Sequence, residues 1–199
     1  MNLTDMINEL GEDKVKTILS SFVCELNADV QDFLHNKAIE FAKQGWAGTT
    51  LVFWRSDDGK EKELIGYYAL AWKYICVSKD SVSKTTAKRM NSHGDFDPNT
   101  REYIVPACLV GQLGKNFFAG NNYLIRGNEL LQLALDKIKE IQKEAGGKFV
   151  YLECEDKEKL IEFYTTNGFT PFGKRKKDRD EIGVDGDYLI QLLKYMSNS

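Results

Sequence analysis

The sequence predicts an α/β protein, a mixed sheet of about six or seven strands with helices packed on it, folded as one domain over 1–199. Three observations predict it. Apolar residues switch along the chain between alternation, the period of a strand, and recurrence at three and four, the period of a helix. One segment, 63–77 (ELIGYYALAWKYICV), is apolar on both alternating faces, as a central strand covered from two sides must be. Finally, only three prolines occur among 199 residues and no repeat is visible, so no Pro-rich linker divides the chain.

The elements follow in order. An acidic lead-in precedes VKTILSSFVC (15–24), whose β-branched and aromatic content suggests a first strand, with an amphipathic helix over 4–20 as the alternative. Asn27 or Asp29 can cap the next helix, because a short polar side chain accepts a bond from a free N–H of the first turn. Val30, Phe33, Leu34, Ala38 and Phe41 form its apolar stripe, which ends at Gly45. TTLVFWR (49–55) is a strand, and the Asp57-Asp58-Gly59 turn leads into the central strand 63–77. Residues 78–101 are polar, with Gly94, Pro98 and little periodicity, and read as a surface insertion. EYIVPACLVGQLGK (102–115) returns to strand character, with Pro106 tolerable only at an edge or bulge. A loop rich in Gly and Asn (116–127) follows, and Asn128 then caps a helix carrying Leu130, Ala134, Ile138, Ile141 and Ala145 on one face. KFVYLEC (148–154) is a strand, Asp156 caps a helix that ends at Gly168, and FTPFGKR (169–175) and DYLIQLLKYM (187–196) are the closing strands.

Composition excludes several classes. With 42% hydrophobic and 12% aromatic residues the chain can bury a sizeable core, which rules out wholesale disorder. The 27 basic and 30 acidic residues leave a formal charge of −3, which argues against a dedicated, sequence-independent binder of polyanions. No apolar run reaches the ~18 residues of a membrane span, and the acidic N-terminus lacks the apolar core of a secretion signal. The cysteines Cys24, Cys76, Cys108 and Cys154 each sit in an apolar stretch and read as buried thiols of a reduced, cytoplasmic protein. With no C-x-x-C and only His35 and His93, no metal site is expected. Trp46, Trp54 and Trp72 read as core.

Chemistry concentrates where strand 102–115 runs through its Gly/Asn loop into the helix opening at Asn128. Unpaired N–H groups at a helix N-terminus, with the positive end of the helix dipole, suit a phosphate. Gly120 and Gly127 allow backbone to approach a ligand closely. The loop is neither a Walker loop nor a dinucleotide fingerprint, since G-x-x-x-x-G-K-[ST] and G-x-G-x-x-G are both absent. A plain connecting loop remains open on these residues alone.

The second half as a whole, PACLVGQLGKNFFAGNNYLIRGNELLQLAL followed by FVYLECEDKEKLIEFYTTNGFTPFG, resembles the GNAT superfamily of acyltransferases, which use acetyl-CoA. The most specific match is the [LF]-Y-x-x-x-G-F signature, here Phe163-Tyr164-Thr165-Thr166-Asn167-Gly168-Phe169. The resemblance covers about 14–173, leaves 78–101 unmatched, and is closest to a branch that includes toxins acetylating aminoacyl-tRNA. It implies that the backbone of Leu113, Gly114 and Lys115 bonds the pantetheine arm. The pyrophosphate would lie on the loop 121–127, through Asn121, Asn122, Ile125, Arg126 and Gly127, and on the N–H of Asn128. Tyr164 would protonate the departing thiolate, a transfer that a phenol of pKa near 10 can make.

The sequence departs from the family pattern in three places. The usual [QR]-x-x-G-x-[GA] loop carries extra residues, with Ile125-Arg126 in place of its middle glycine step, and Arg126 could contact a phosphate directly. Asp156 stands where many members have Asn. No carboxylate projects from IVPACLVG to act as base, and Glu102, Glu153 and Glu155 read as solvated strand-end charges. Lys84, Lys88 and Arg89, and the run KRKK at 174–177, could hold RNA if they met, yet Asp178, Asp180 and Glu181 interrupt the second cluster and a solvated surface is the better reading.

The expected function is therefore acetyl transfer from acetyl-CoA to a primary amine of a small molecule or peptide, by direct attack. A non-catalytic module binding CoA or a protein, and a toxin acting on aminoacyl-tRNA, are the competing readings. The net charge weighs against nucleic acid without eliminating tRNA. The acceptor, the general base and the choice between monomer and homodimer stay open.

Overall fold

The computed structural model describes residues 1–178, 181 and 185–197. Seven strands hydrogen-bond in the order β1-β2-β4-β5-β7-β6, with the short β3 paired to β4, and helices flank the sheet. Two compact units divide the chain, and β2, β4 and α6 each contribute residues to both.

The first unit contains Met1–Ala71 and Gly111–Leu135. It opens with α1 (Leu3–Leu10) and α2 (Glu12–Leu19), so the expected strand over 15–24 is replaced by the alternative helix. The reason is a stripe at helical spacing: Leu3, Met6, Val15 and Leu19 are all buried, while Gly11 at φ +81° turns the chain between the two helices. Asn27 caps α3 (Ala28–Asp32), its Oδ1 accepting from the N–H of Asp29 and Val30. A π turn (Phe33–Lys37) leads on to α4 (Ala38–Lys43). β1 (Gly48–Arg55) pairs antiparallel with the first part of β2 (Lys62–Ser78), from Gly48↔Leu70 to Arg55↔Lys62. Residues 64–70 of β2 are buried continuously, as the double-faced apolar pattern requires.

The second unit contains Trp72–Val110, 136–178 and 185–197. Here β2 changes character: Trp72, Lys73, Tyr74 and Cys76 are exposed, so the covering expected on both faces stops at Leu70 and Cys76 is not a buried thiol. Trp72 (43% exposed) and, in the first unit, Trp46 (60%) are likewise not core. The insertion is more ordered than its composition suggested. It forms α5 (Lys84–His93), capped by Ser83, and β3 (Asp95–Asp97), and it is anchored by Met90, which is fully buried. β4 (Glu102–Lys115) pairs with β3 over 102–104 and in parallel with β5 (Phe149–Glu155) over 107–109, so Pro106, which has no N–H, falls between the two ladders. α6 (Gly127–Ala145) buries Leu130, Ala134 and Ile138 but leaves Ala145 exposed. α7 (Glu158–Thr166), β6 (Thr170–Lys176) and β7 (Tyr188–Tyr195) complete the unit, β7 lying antiparallel between β5 and β6.

Candidate active site

In the first unit, two glycines let helices sit directly on the sheet. A Cβ on Gly114 of β4 would lie 2.4 Å from Val30 Cγ1, and one on Gly66 of β2 would lie 3.2 Å from Leu130 Cδ2. Only glycine fits at Gly114, because α3 presses on that strand through Val30 while Phe22 and Tyr67 close in beside it. Tyr67 is buried and its hydroxyl donates to the carbonyl of Val30, which ties the same helix turn to β2; burial raises that phenol well above its usual range. Gln112, two residues earlier on the same face of β4, donates through Nε2 to Asp29 Oδ2 at 3.0 Å.

Past its last β5 pair, Leu109↔Tyr151, β4 continues for six residues to Lys115 and then enters the loop. Asn116, 1% exposed, organises that exit. Its Oδ1 accepts from Val23 N and Phe118 N, and its Nδ2 donates to the carbonyl of Leu64 at 2.8 Å. Asn121 is also buried, and its amide donates to Glu63 Oε2 and to the carbonyl of Leu64. Lys115 Nζ donates to the carbonyl of Asn122 at 2.9 Å, and Ile125 is buried. Ala119, at φ +51°, is a left-handed residue without glycine's freedom, followed by Gly120 at +82°.

Asn121, Ile125 and Lys115 fix the loop's shape, so they can serve a bound anion only by presenting backbone. Tyr123 (88% exposed), Leu124 and Arg126 are the exposed members. The helix opens at Gly127, one residue before the expected cap, which puts Asn128 inside the first turn. The capping is done from within: Glu129 Oε2 accepts from the N–H of Arg126 at 2.7 Å. The first-turn N–H groups of this 19-residue helix have no intrahelical acceptor, as at any helix start. Glu129 was not among the sequence candidates, although a glutamate three residues past a helix entry is a recognisable signal.

In the second unit, Tyr164 lies in the last turn of α7. Gly168, at φ +84°, ends the helix; Phe169 N donates to the Tyr164 carbonyl, and Lys194 Nζ to that of Asn167. The ring is half-buried between Phe163 (centroids 5.0 Å) and Phe169 (6.0 Å), both edge-on. Its hydroxyl makes no hydrogen bond among the described residues. Burial, with a smaller contribution from the Cys154 thiol, pushes the phenol far above its ordinary range, so it stays protonated through neutral pH. Thiols here are raised by the same desolvation, Cys154 to about 11 and Cys108 to about 12.

Two of the three strand-end acids, Glu153 and Glu155, are not solvated charges. Glu153 accepts from Arg175 (Nε at 2.8 Å) and from Gln191, and buried Glu155 accepts from Asp185 N and pairs with Lys157. Both serve as braces. Asp156 does not cap α7, because it pairs with Lys174 at 2.9 Å and Lys157 takes the cap position. Two of the four members of the basic run are thus neutralised locally, Lys174 by Asp156 and Arg175 by Glu153 and Asp178; Asp180 lies outside the described residues. On α5, Arg89 lies over the Tyr195 ring at 4.3 Å. Among the described residues, no group of three or more His, Cys, Asp or Glu could hold a metal ion, and no helix is long and apolar enough to cross a membrane.

No family model and no curated protein matches the sequence. Solved structures do match. A tyrosine-to-phenylalanine mutant of KacT has a TM-score of 0.59 at 17% identity, over 90% of this chain and 89% of that one. AtaT complexed with acetyl-methionyl-tRNAfMet gives 0.56 at 18%, over 86% and 85%. A tyrosine-to-phenylalanine mutant of the AtaT toxin, bound to the C-terminus of the antitoxin AtaR and acetyl-CoA, gives 0.52 at 15%, over 89% and 84%. The chain shares the fold of these proteins, a mixed sheet flanked by helices as the GNAT resemblance implied.

Proposed function

We propose that this protein transfers an acetyl group from acetyl-CoA to a primary amine, with the amino group of an aminoacyl-tRNA as the favoured acceptor. The observation that carries the reading is the continuous path of β4, beyond its β5 ladder, through a tightly pinned loop into the N-terminus of α6. It is supported by the likeness to AtaT, whose structures include complexes with acetyl-CoA and with acetyl-methionyl-tRNAfMet.

The residues present suit acetyl-CoA. The strand residues Leu113, Gly114 and Lys115 offer backbone groups to the amides of a pantetheine arm. The loop residues Asn121, Asn122, Ile125, Arg126 and Gly127, with Asn128, offer N–H groups and one exposed guanidinium to a pyrophosphate. Acetyl-CoA supplies the activated acyl group. A backbone N–H of the strand polarises the thioester carbonyl, and the amine attacks directly. Tyr164 hands its phenolic proton to the leaving sulfur. Its raised pKa does not oppose this, because a thiolate departing into similarly desolvated surroundings becomes more basic for the same reason, as Cys154 and Cys108 do.

One observation favours a second reading, a module that keeps the fold without binding CoA: the Glu129 carboxylate already sits on the N–H of Arg126. Calorimetry separates the two. Acetyl-CoA should bind at micromolar concentration, and labelled acetyl should pass to aminoacyl-tRNA; no binding at about 1 mM, some −4 kcal/mol or weaker, overturns the enzyme reading. Arrested growth on expression in bacteria, relieved in the Tyr164→Phe variant, is the expected result in cells.

A further inference from the structure

The sequence offers no base on IVPACLVG, yet the fold brings a carboxylate to β4 from elsewhere. Asp29, in the first turn of α3, receives Gln112 Nε2 on Oδ2 at 3.0 Å. Its helix turn is pressed onto this stretch of strand, since the adjacent Val30 occupies the space over Gly114. Asp29 therefore stands beside Gln112, at the start of the run Leu113–Lys115 proposed to carry the thioester arm. Gln112 steers one carboxylate oxygen. Among the described residues nothing donates to the other, and no lysine or arginine pairs with this acid. Cations of the surrounding elements bond elsewhere: Lys37 pairs with Asp32, and Lys115 donates to Asn122. The Tyr67 phenol, which senses the charge of Asp29, is buried and raised, hence uncharged. A half-buried carboxylate steered by one neutral donor and unmatched by a cation attracts an N–H group carrying positive charge.

We propose that Asp29 holds the acceptor amine, Oδ1 accepting an N–H of the attacking nitrogen while Gln112 fixes Oδ2. The proposal rests on the acetyl-transfer reading above. The nitrogen forms its bond to the acetyl carbon, and the carbon–sulfur bond breaks with its electron pair on sulfur. Sulfur takes the Tyr164 proton, the proton shed by nitrogen leaves through Asp29 to water, and Tyr164 is reprotonated from water. The charge of Asp29 thus serves twice, first in orienting the N–H of the neutral amine so that its lone pair faces the acetyl carbon, and then in accepting the proton that nitrogen sheds once the new bond has formed.

The test is Asp29→Asn, which keeps an oxygen for Gln112 and so keeps the docking of α3. With labelled acetyl-CoA and bulk aminoacyl-tRNA, kcat/KM for the tRNA should fall roughly 30-fold or more, the size expected for losing a charge-assisted hydrogen bond in a partly buried site. Affinity for acetyl-CoA should stay within about twofold, and the melting temperature should not change. Gln112→Met, which keeps the carboxylate but frees it to turn, should give a smaller loss of the same kind. Transfer by Asp29→Asn at the wild-type rate overturns the inference and leaves the enzyme reading standing. A loss that tracks reduced folding or reduced acetyl-CoA affinity also overturns it, because Asp29 then only docks the helix. Wild-type protein that binds no acetyl-CoA, or transfers nothing, removes the enzyme reading and this inference together.

Discussion

The loop leading into α6 and the C-terminal turn of α7 use their polar residues in opposite ways. In the loop, Asn116, Asn121 and Lys115 bind the protein's own backbone, which leaves main-chain N–H groups as the means of binding a ligand. At the end of α7, backbone and Lys194 hold the turn while one side-chain hydroxyl, that of Tyr164, is left unbonded. Substitutions in the first region should therefore change shape and stability, and those in the second should change chemistry.

The contrast can be broken most sharply at Tyr164. Tyr164→Phe should lower kcat about 10²-fold or more, with acetyl-CoA affinity nearly unchanged, in steady-state kinetics beside calorimetry. Because burial raises this phenol and an acid acts in its protonated form, the wild-type rate should not fall as pH rises through the ordinary phenol range near 10. A fall there would show that Tyr164 titrates normally. Asn116→Ala should act on the fold instead: Val23 N, Phe118 N and the Leu64 carbonyl lose their partner, and stability in urea should drop by about 2 kcal/mol. Gly114→Ala should cost about 1.5 kcal/mol through overpacking against Val30, and Val30→Ala in the same chain should recover part of that. Glu129→Gln should produce the smallest change. Removing a carboxylate from a helix start where a pyrophosphate is proposed should tighten acetyl-CoA roughly threefold at low salt, and added salt should erase the gain.

Reading the sequence alone went furthest where one local pattern decides the structure. The strand over 102–115, the long helix beginning within a residue of Asn128, and the turn at Gly168 all follow from alternation, a three-and-four stripe and a glycine stop. Competing local signals misled it at the start of the chain. Val15, Ile18 and Phe22 read as strand by propensity, but Val15 and Leu19 are buried one helical turn apart in α2, in the same core as Leu3 and Met6, and tertiary burial decides. Long-range partners explain the other departures. Asp156 abandons its cap for Lys174, 18 residues on, and Asn121 turns inward to a carbonyl 57 residues earlier in the chain. The nearness of Asp29 to Gln112, 83 residues apart, has no local signature at all.

The π turn between α3 and α4 sets a counting rule for the chain. Phe33 and Ala38, five apart, are both buried, although an α-helix advancing ~100° per residue would point them about 140° apart. The wider turn, in which Ala38 N donates to the Phe33 carbonyl, absorbs the extra residue and returns Ala38 and Ile39 to the core side. Deleting one residue of FLHNK would leave Phe33 and Ala38 four apart, about 40° around an ordinary helix, and would keep the phase. Straightening the turn with all its residues present would rotate everything after it by roughly 100°. Ile39 and Phe41 would swing away from the core and Glu40 toward it. The side that α4 turns to the core is therefore set by the width of this one turn as well as by residue type.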